Sequence, residues 1–487
     1  MSQSANRPNL LLIMVDQWRG DALGCAGHPV IETPHLDTVA AGGTRFEQAY
    51  SACPSCIAAR AGLLTGMTPA HHGYVGYQDG LTWAYEQTLP RTLGRAGYQT
   101  QCVGKMHTHP LRNRVGFDEV QLHDGYLHYG RRGGMDYGQF DDYLPWLRER
   151  TGAAYSDYID TGMGCNGYAV QAWTRDPMLH PTAWVTTQSI DFLRRRDPTQ
   201  PFFLMASYHR PHPPLDPPQS YLDRYLAKPL PPLPVGDWVE HELDLCRGLD
   251  SPVPRDPAQV DLARRAYYAQ CTFIDHQLNR LFMALSEHGH LANTAIAFVA
   301  DHGDLLYDHR FIAKAQPFDG SARVPLIMQL PRDRWSPRTG GQVSQAVVEL
   351  RDLFPTFCDL AGTPIPDTVD GHSLLPILTG ENTDSVRQWL HGEHTGGTWS
   401  NHWLTDGLTK YVWYSQTGRE LLFDLDADPA ECHNLAQRQP DRLALWRGRL
   451  AEELADRPEG FVAQGRLQPG QRQSAALDYA GRGWRQK

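Results

Sequence analysis

Short apolar runs that end in charged or imidazole side chains are the feature that most constrains the fold of this chain. The runs are NLLLIMV (9–15), YQTQCV (98–103), PFFLMAS (201–207), AIAFVA (295–300) and VPLIMQL (324–330). Such runs are typical of strands buried on both faces of a parallel sheet. Helix-like stretches separate them, so the pattern predicts an α/β fold with a large mixed, mostly parallel sheet flanked by helices.

The helical stretches and the C-terminal part complete this outline. A helix is predicted after Thr33-Pro34, and amphipathic helices are predicted over 181–196 and 263–289. Near the C-terminus, YVWYS (411–415) and ELLFDL (420–425) predict a hairpin. We therefore expect a catalytic domain over 1–375 and a smaller C-terminal α+β subdomain with an antiparallel sheet over 376–487. The stretch from about 458 fits either a tail or an arm over another subunit.

Composition excludes some classes of function. The 487 residues contain 45 Lys and Arg against 55 Asp and Glu, a net charge of −10, which argues against a nucleic-acid partner. The apolar stretches are too short for a signal peptide or a membrane span, so a cytoplasmic protein without a membrane partner is expected. The nine cysteines are mostly scattered, and this favours reduced thiols over a disulfide framework.

Four of the runs lead into polar groups that ligands use. Asp16-Gln17 follows the first run, Lys105 and His107 follow the second, His212 follows the third and Asp301-His302 follows the fourth. Ligands of parallel sheets bind beyond the carboxyl ends of the strands. The sequence therefore predicts that these side chains meet at one edge of the sheet.

The acidic members of this set predict a metal site. Asp16, Gln17, Asp301 and His302 provide oxygen ligands and one imidazole, a set that suits calcium, magnesium or manganese. The alternative is that Asp16 or Asp301 only caps a following helix. We favour one divalent cation, because both acidic groups stand at strand ends.

The basic members predict an anionic substrate. Lys105, His107, His212 and Lys314 follow predicted strands, and cations around a pocket neutralise the oxygens of a phosphate or sulfate ester. A histidine can also transfer the proton. Taken singly, each of these residues is more often an ordinary surface residue, and the paired histidines could also suggest zinc. We rank zinc below an oxygen-ligated cation.

The stretch CPSCIAARAGLLTG (53–66) contains the candidate nucleophile. It has the only C-x-x-C, so a four-cysteine zinc site would lack half its ligands, and a redox pair would not explain the other groups. If a helix begins near Ile57, then Cys56 lies at its N-terminus with Arg60 one turn further. A buried cysteine in a helix of small residues is the alternative interpretation.

These segments together resemble a known family. Cys56 to Gly66 resembles the C-x-P-S-R and L-x-T-G signature of the sulfatases, with the same spacing from Cys to Arg to Gly. RPNLLLIMVDQ, TPHLDTVAAGGTRF, VGKMH, RPHPP, ADHGDLLYDH, VPLI and LFDLDADPAECHNLA also resemble sulfatase segments, in the expected order. The chain is identified as a member of the formylglycine-dependent sulfatases of the alkaline phosphatase superfamily. It resembles the branch near choline-sulfatase-like enzymes and phosphonate monoester hydrolases.

The resemblance implies an alkaline phosphatase-like fold and a sulfatase mechanism. A maturase would oxidise Cys56 to formylglycine, whose hydrated diol attacks the sulfur of an aryl, alkyl or sugar sulfate. Asp16, Gln17, Asp301, His302 and the modified Cys56 would hold one cation, calcium before manganese or magnesium. The implied roles are as follows: Arg60 steadies the diol, Lys105 binds sulfate, His107 is the base, and His212 and Lys314 lie near the leaving oxygen, with His212 the better acid.

Two departures from the family pattern widen the prediction. Ala58-Ala59 replaces Pro-Ser, a form that resembles the C-x-A-x-R of bacterial sulfatases associated with a radical-type maturase. The Asp-Gln and Asp-His pairs also resemble phosphonate monoester hydrolases, so phosphonate monoester or phosphodiester hydrolysis is the alternative function. The leaving group and the formation of a homo-oligomer stay open, and Trp146, Trp173, Trp399, His391, His394 and His402 are further pocket candidates.

Overall fold

The computed structural model of the protein describes residues 7–125, 137–152, 163–240, 256–333, 335, 341–381 and 385–477. The sequence also predicts long loops over 118–180 and over the proline-rich stretch 210–257; parts of both, and the end of the chain after 477, lie outside the described residues. Within the described part, no helix is both long enough and apolar enough to cross a membrane.

Every apolar run chosen from the sequence is a strand. The strands are β1 Asn9–Asp16, β2 Thr44–Phe46, β3 Ala49–Tyr50, β4 Gln99–Gly104, β5 Glu119–Leu122, β6 Phe202–Pro211, β7 Thr294–Ala300, β8 Leu326–Gln329, β9 Gln342–Ser344, β10 Val348–Glu349, β11 Leu390–His394, β12 Asn401–Thr405, β13 Thr409–Tyr414, β14 Glu420–Asp424, β15 Val462–Ala463 and β16 Arg466–Leu467. All residues of β1, β6 and β7 are buried, which explains their continuous apolar sequence.

The main sheet has eight strands in the order β5-β4-β6-β1-β7-β8-β2-β9. The first five of these run parallel, whereas β8 is antiparallel to both β7 and β2. Strand β1 lies at the centre, paired with β6 on one side and β7 on the other. The predicted mixed, mostly parallel sheet is confirmed.

Helices cover this sheet. They are α1 Pro34–Ala41, α2 Cys56–Thr65, α3 Pro69–His72, α4 Leu89–Arg95, α5 Tyr143–Thr151, α6 Pro181–Arg195, α7 Gln219–Leu226, α8 Pro257–Glu287, α9 Asp319–Ala322, α10 Leu353–Ala361, α11 Leu375–Thr379 and α12 Pro440–Glu453. Helix α8 begins six residues before the predicted start at 263, because Asp256 caps it and Pro257 occupies its first turn. The apolar periodicity from which the helix was predicted does not extend over its first six residues.

The C-terminal part forms a second sheet. Strands β11, β12, β13 and β14 pair antiparallel in chain order, which confirms the predicted hairpin and its antiparallel sheet. One apolar cluster contains Phe318 from the first part together with Trp403 and Phe423 from this sheet. The C-terminal sheet therefore packs directly on the first part, and the division into domains at 375/376 stays a prediction.

The last described residues return to the first part of the same chain. The amide of Val75 donates to the carbonyl of Ala475 at 2.9 Å, and the amide of Leu477 donates to the carbonyl of Gly73 at 2.7 Å. Ala476 and Leu477 are both buried. This stretch therefore pairs with a loop that follows α3.

Candidate active site

The carboxyl ends of four neighbouring parallel strands meet as predicted. In sheet order these strands are β4, β6, β1 and β7, and they lead into Lys105, His212, Asp16-Gln17 and Asp301-His302. Gly104 sets the exit of β4, because its φ is 101° and a Cβ there would lie 1.9 Å from the carbonyl oxygen of Ser207. The carboxyl-terminal side of the sheet therefore gathers these side chains, as the sequence predicts.

Cys56 is the first residue of α2 and lies at this edge. All ten residues of the helix are buried, and Cys56 itself is 2% exposed. Its Sγ atom lies 3.1 Å from Nε2 of His302, 3.2 Å from Nζ of Lys314 and 3.6 Å from Oδ1 of Asp16. The small residues of this helix bring its N-terminus close to strands from distant parts of the chain.

The acidic residues form a compact set of metal-ligand atoms. One ligand atom from each of Asp16, Cys56, Asp301 and His302 lies within 4.8 Å of the others. His302 Nδ1 is 2.9 Å from the carbonyl of Gly303, an acceptor, so Nδ1 carries the proton and the lone pair of Nε2 faces the carboxylates. Lone pairs that converge in this way repel one another unless a cation lies between them. The donor set therefore fits a divalent cation.

The orientation of Gln17 also fits a cation. Its Nε2 donates to Asp304 at 2.7 Å and to the hydroxyl of Tyr168 at 3.1 Å, which fixes the amide. Its Oε1 is thereby directed to the other side, where Lys314 donates to it at 3.1 Å. By accepting from the amide nitrogen of Gln17, Tyr168 and Asp304 thus turn the amide oxygen of Gln17 toward the site. Neither residue was predicted from the sequence, although Asp304 stands in the segment ADHGDLLYDH.

Buried cations set the protonation of the site. Burial and Asp16 raise the pKa of the Cys56 thiol, but the charges of Lys105 and Lys314 contribute to a pKa well below its usual range overall. Burial also opposes ionisation of Asp16, yet Lys105, which forms an ion pair with it, contributes to a pKa well below the usual value. Burial and Asp16 raise the pKa of Asp301. The side chain at position 56 therefore lies where negative charge is favoured.

Arg60 contacts the surroundings of Cys56. Its guanidinium donates to Asp301 at 3.0 Å, to the carbonyl of Lys105 at 2.7 Å and to Ser207 at 2.9 Å. It is completely buried. Arg60 therefore fixes a carboxylate and the exit of β4, one turn after Cys56 on the same helix.

The two predicted histidines line the same pocket but differ in environment. Burial and Lys314 lower the pKa of His212 to about 3. Burial also lowers the pKa of His107, but Asp79 and Cys56 raise it above the usual value overall. The pocket has a volume of about 290 Å³. Its lining consists of Gln17, Cys56, Tyr77, Asp79, Lys105, His107, Asp124, Cys165, Asn166, Tyr168, His209, His212, Pro213, Ile312, Ala313 and Lys314.

Several pocket candidates from the sequence lie elsewhere. Trp146, Trp173 and Trp399 are absent from the lining, and His391 and His402 stack on each other in the C-terminal sheet. His209 and His212 come near Asp16, but Arg210 donates to Nδ1 of His209 at 2.7 Å. The proton of neutral His209 is then on Nε2, which leaves no lone pair there for zinc. Among the described residues, the oxygen-rich set around Asp301 is the better cation site.

Comparison with known proteins agrees with this geometry. The sulfatase family model matches residues 8–363, and a model for the C-terminal part of N-sulphoglucosamine sulphohydrolase matches residues 302–457. An arylsulfatase of Clostridium perfringens (strain 13 / Type A) is 46% identical over 473 residues, which cover 95% of this chain and 98% of that protein. A choline-sulfatase of Rhizobium meliloti (strain 1021) is 28% identical over 89% of this chain and 83% of its own.

A solved structure extends the likeness to the fold. The phosphonate monoester hydrolase of Agrobacterium radiobacter superposes with a TM-score of 0.76 at 25% identity, over 92% of this chain and 95% of its own. Fold and relatives define a hydrolase of the alkaline phosphatase superfamily. Within it, the chain belongs to the sulfatase family and is a hydrolase that acts on sulfuric ester bonds.

Proposed function

We propose that the protein hydrolyses a sulfate monoester of an aryl, alkyl or sugar alcohol, with the side chain at position 56 as the nucleophile. The observation that carries this proposal is the convergence of His302, Lys314 and Asp16 on Sγ of Cys56. The net reaction breaks the bond between sulfur and the alcohol oxygen, and water supplies a hydroxyl to sulfur and a proton to the alcohol. The positive pocket favours the anionic group that is transferred.

Position 56 requires maturation for this chemistry. Cysteine 56 would be converted to formylglycine by a maturase that reads the segment CIAAR, and the hydrated aldehyde supplies an oxygen nucleophile. Lys105 pairs with Asp16, and Lys314 pairs with Gln17. These contacts would hold the two lysine ammonium groups where the ester oxygens bind.

The metal would be held by Asp16, Gln17, Asp301, His302 and the modified side chain at position 56. Calcium is the first candidate, with manganese and magnesium next, because oxygen donors predominate. When bound, the cation stabilises the oxygen nucleophile and withdraws charge from an ester oxygen. Asp304, Tyr168 and Gly303 would keep the donors oriented when the cation exchanges.

The remaining polar side chains bind the sulfate group, orient the nucleophile or transfer protons. We assign sulfate binding to Lys105, the orientation of Asp301 and of position 56 to Arg60, and the base to His107. We assign to His212 the proton donated to the alcohol oxygen, because the negative charge of a bound sulfate ester would raise the pKa of its imidazole from about 3. Lys314 contacts position 56 directly and would stabilise the charge on the leaving oxygen.

A second candidate function is hydrolysis of phosphonate monoesters or phosphodiesters. The structural likeness to a phosphonate monoester hydrolase favours it, as does the pairing of Asp16 with Gln17 and of Asp301 with His302. The same cations stabilise either transferring group, so only relative rates separate the two functions. The cytoplasmic location and the oligomeric state stay predictions.

The test begins with a protein produced together with a formylglycine-generating maturase. We expect the mass of the peptide that contains Cys56 to fall by about 18 Da, because SH and H are replaced by a carbonyl oxygen. The matured protein should hydrolyse 4-nitrophenyl sulfate faster than 4-nitrophenyl phenylphosphonate. A chelator should abolish this activity, and addition of calcium, manganese or magnesium one at a time identifies the ion.

Two cysteine variants provide the comparison. Cys56→Ala should remove the activity, whereas Cys53→Ala should keep most of it, because Cys53 is buried outside the pocket lining. A faster reaction with the phosphonate would favour the second candidate function. A matured, metal-loaded protein that cleaves neither ester would exclude both.

A further inference from the structure

The loop over residues 73–80 reaches into the pocket beside the predicted base. Tyr77 and Asp79 line the pocket together with Cys56 and His107. Oδ1 of Asp79 lies 3.4 Å from Nε2 of His107, and the hydroxyl of Tyr77 donates to Oδ2 of Asp79 at 2.6 Å. One carboxylate is thus held between a phenol and the imidazole that is the candidate base.

His107 has few other supports for its ring. Its backbone is held in the left-handed region, with φ at 58°, by Oδ1 of Asp124, which accepts the amides of Met106 at 2.6 Å and His107 at 3.0 Å. Such a conformation is costly for a residue other than glycine and is often found at functional sites. Both ring nitrogens are buried and make no hydrogen bond of ordinary geometry to the part of the chain that the structure describes. The contact between Nε2 and Asp79, beside the interaction of the ring with Cys56, is therefore a polar contact that can orient the ring.

The loop that carries Asp79 is fixed at several points. The amide of Thr395 donates to the carbonyl of Val75 at 2.7 Å, beside a bridge between Gly76 and Thr395. From the other side, Ala475 and Leu477 pair with Val75 and Gly73. Asp79 thus extends from backbone that is held both by the end of β11 and by the last described residues of the chain.

We propose that Asp79 is a positioning residue for His107. Its carboxylate accepts the proton carried by Nε2, which leaves the lone pair on Nδ1, the nitrogen that then receives the proton at position 56. Tyr77 keeps the other carboxylate oxygen occupied and so fixes the direction of the pair. This inference rests on the proposed function, because it gives His107 the role of the base.

Direct contact between Asp79 and the substrate is the competing interpretation, since the Asp79 side chain is 37% exposed at the pocket. A carboxylate beside the sulfate site would repel the anionic group, and both of its oxygens already have partners. The two interpretations differ in measurable ways. A positioning residue acts on kcat only through His107, whereas a binding residue changes KM independently of His107.

The first experiment is a double-mutant cycle on the matured, metal-loaded enzyme with 4-nitrophenyl sulfate. Asp79→Asn should lower kcat roughly 10- to 100-fold, the range seen when a supporting hydrogen-bond partner is removed, with little change in KM. His107→Gln should lower kcat further. The double variant should equal His107→Gln alone, because Asp79 has nothing left to orient. Tyr77→Phe should give a smaller loss than Asp79→Asn.

Asp367→Asn is the matched control, since Asp367 is exposed and is not part of the pocket lining. It should leave kcat and KM unchanged. The proposal is overturned by an Asp79→Asn variant with full kcat, by losses that multiply in the double variant, or by a raised KM at unchanged kcat. Equal melting temperatures and equal formylglycine content across the variants keep misfolding and incomplete maturation out of the comparison.

A second readout does not depend on activity. In unmodified, metal-free protein labelled with nitrogen-15 histidine, the signals lost in His107→Gln identify the ring of residue 107. They should show the form protonated on Nε2, and Asp79→Asn should change them. Signals that are unaffected by Asp79→Asn contradict the proposal. If the matured wild type cleaves no ester, the proposed function fails, whereas this spectroscopic result still decides whether Asp79 orients His107.

Discussion

At the scale of single residues, Arg60 shows how the site depends on a buried charge. Its guanidinium and the carboxylate of Asp301 are both completely inaccessible to solvent, 3.0 Å apart. Removal of either member of a buried ion pair strongly destabilises the folded protein, because the remaining charge is buried without compensation. Arg60 is therefore needed for the fold around Cys56, in addition to the role proposed for it in the chemistry.

Replacement of Arg60 should accordingly reduce stability. In the metal-free protein, Arg60→Met should lower the free energy of unfolding by about 3–5 kcal/mol, because Asp301 loses its compensating charge. Chemical denaturation measures this. The double variant with Asp301→Asn should recover part of the loss. Arg195→Met is the control, since Arg195 and Asp191 are a surface pair, and it should cost no more than about 1 kcal/mol.

The residues of the site were predicted from the sequence to different degrees. Asp16, Cys56, Asp301 and His302 converge as expected, because each follows a clear local signal such as a strand end or the spacing from Cys to Arg. Asp79, Asp124 and Tyr168 were missed, because they stand in irregular loops where no periodicity shows which way a side chain points. Their roles depend on contacts with residues far away in the chain.

At the scale of elements, Asp275 links the long helix α8 to the start of α1. Its Oδ1 accepts the amide of Leu36 at 2.8 Å and its Oδ2 accepts the amide of His35 at 3.2 Å. Burial is the main cause that raises the pKa of Asp275 from 3.8 to about 7. The carboxyl group thus caps α1 from a neighbouring helix, at the cost of being hard to ionise.

This shift predicts a pH dependence of stability. The folded protein binds the proton of Asp275 more tightly than the unfolded chain, so stability from this group falls as pH rises from about 4 to about 7 and stays reduced above. Asp275→Asn should remove this loss, on the order of 4 kcal/mol at most between pH 4 and 8. Thermal unfolding across this pH range measures it. Asp359→Asn, an exposed carboxylate on α10, should leave the dependence unchanged.

At the scale of the whole molecule, the C-terminal part supports segments of the N-terminal part that line or adjoin the pocket. Lys410 of β13 is fully buried and forms ion pairs with Asp319, five residues after Lys314, and with Glu431. Thr395 and Ala475 pair with the loop that carries Asp79. Residues 475–477, in the stretch for which a tail or an arm was predicted, pair with residues 73–75 of their own chain.

Truncation tests this long-range support. A chain that ends at Arg472 loses the partners of Val75 and Gly73, and each buried backbone group left unsatisfied costs about 1–3 kcal/mol. Hydrogen exchange over 73–80 should become faster and kcat should fall, relative to a chain that ends at Leu477 and keeps the pairing. Equal exchange in the two chains would show that β11 alone holds the loop.

The α/β class, the strands, the nucleophile candidate and the polar groups at the strand ends could be predicted from the sequence, because buried strands and helix starts leave local patterns in neighbouring residues. Three-dimensional packing was needed to show that Asp79 meets His107, that Gln17 turns its oxygen to the site, and that residues 475–477 pair with the pocket loop. These are contacts between loops and distant segments, and their geometry depends on the packing of the whole chain rather than on local periodicity.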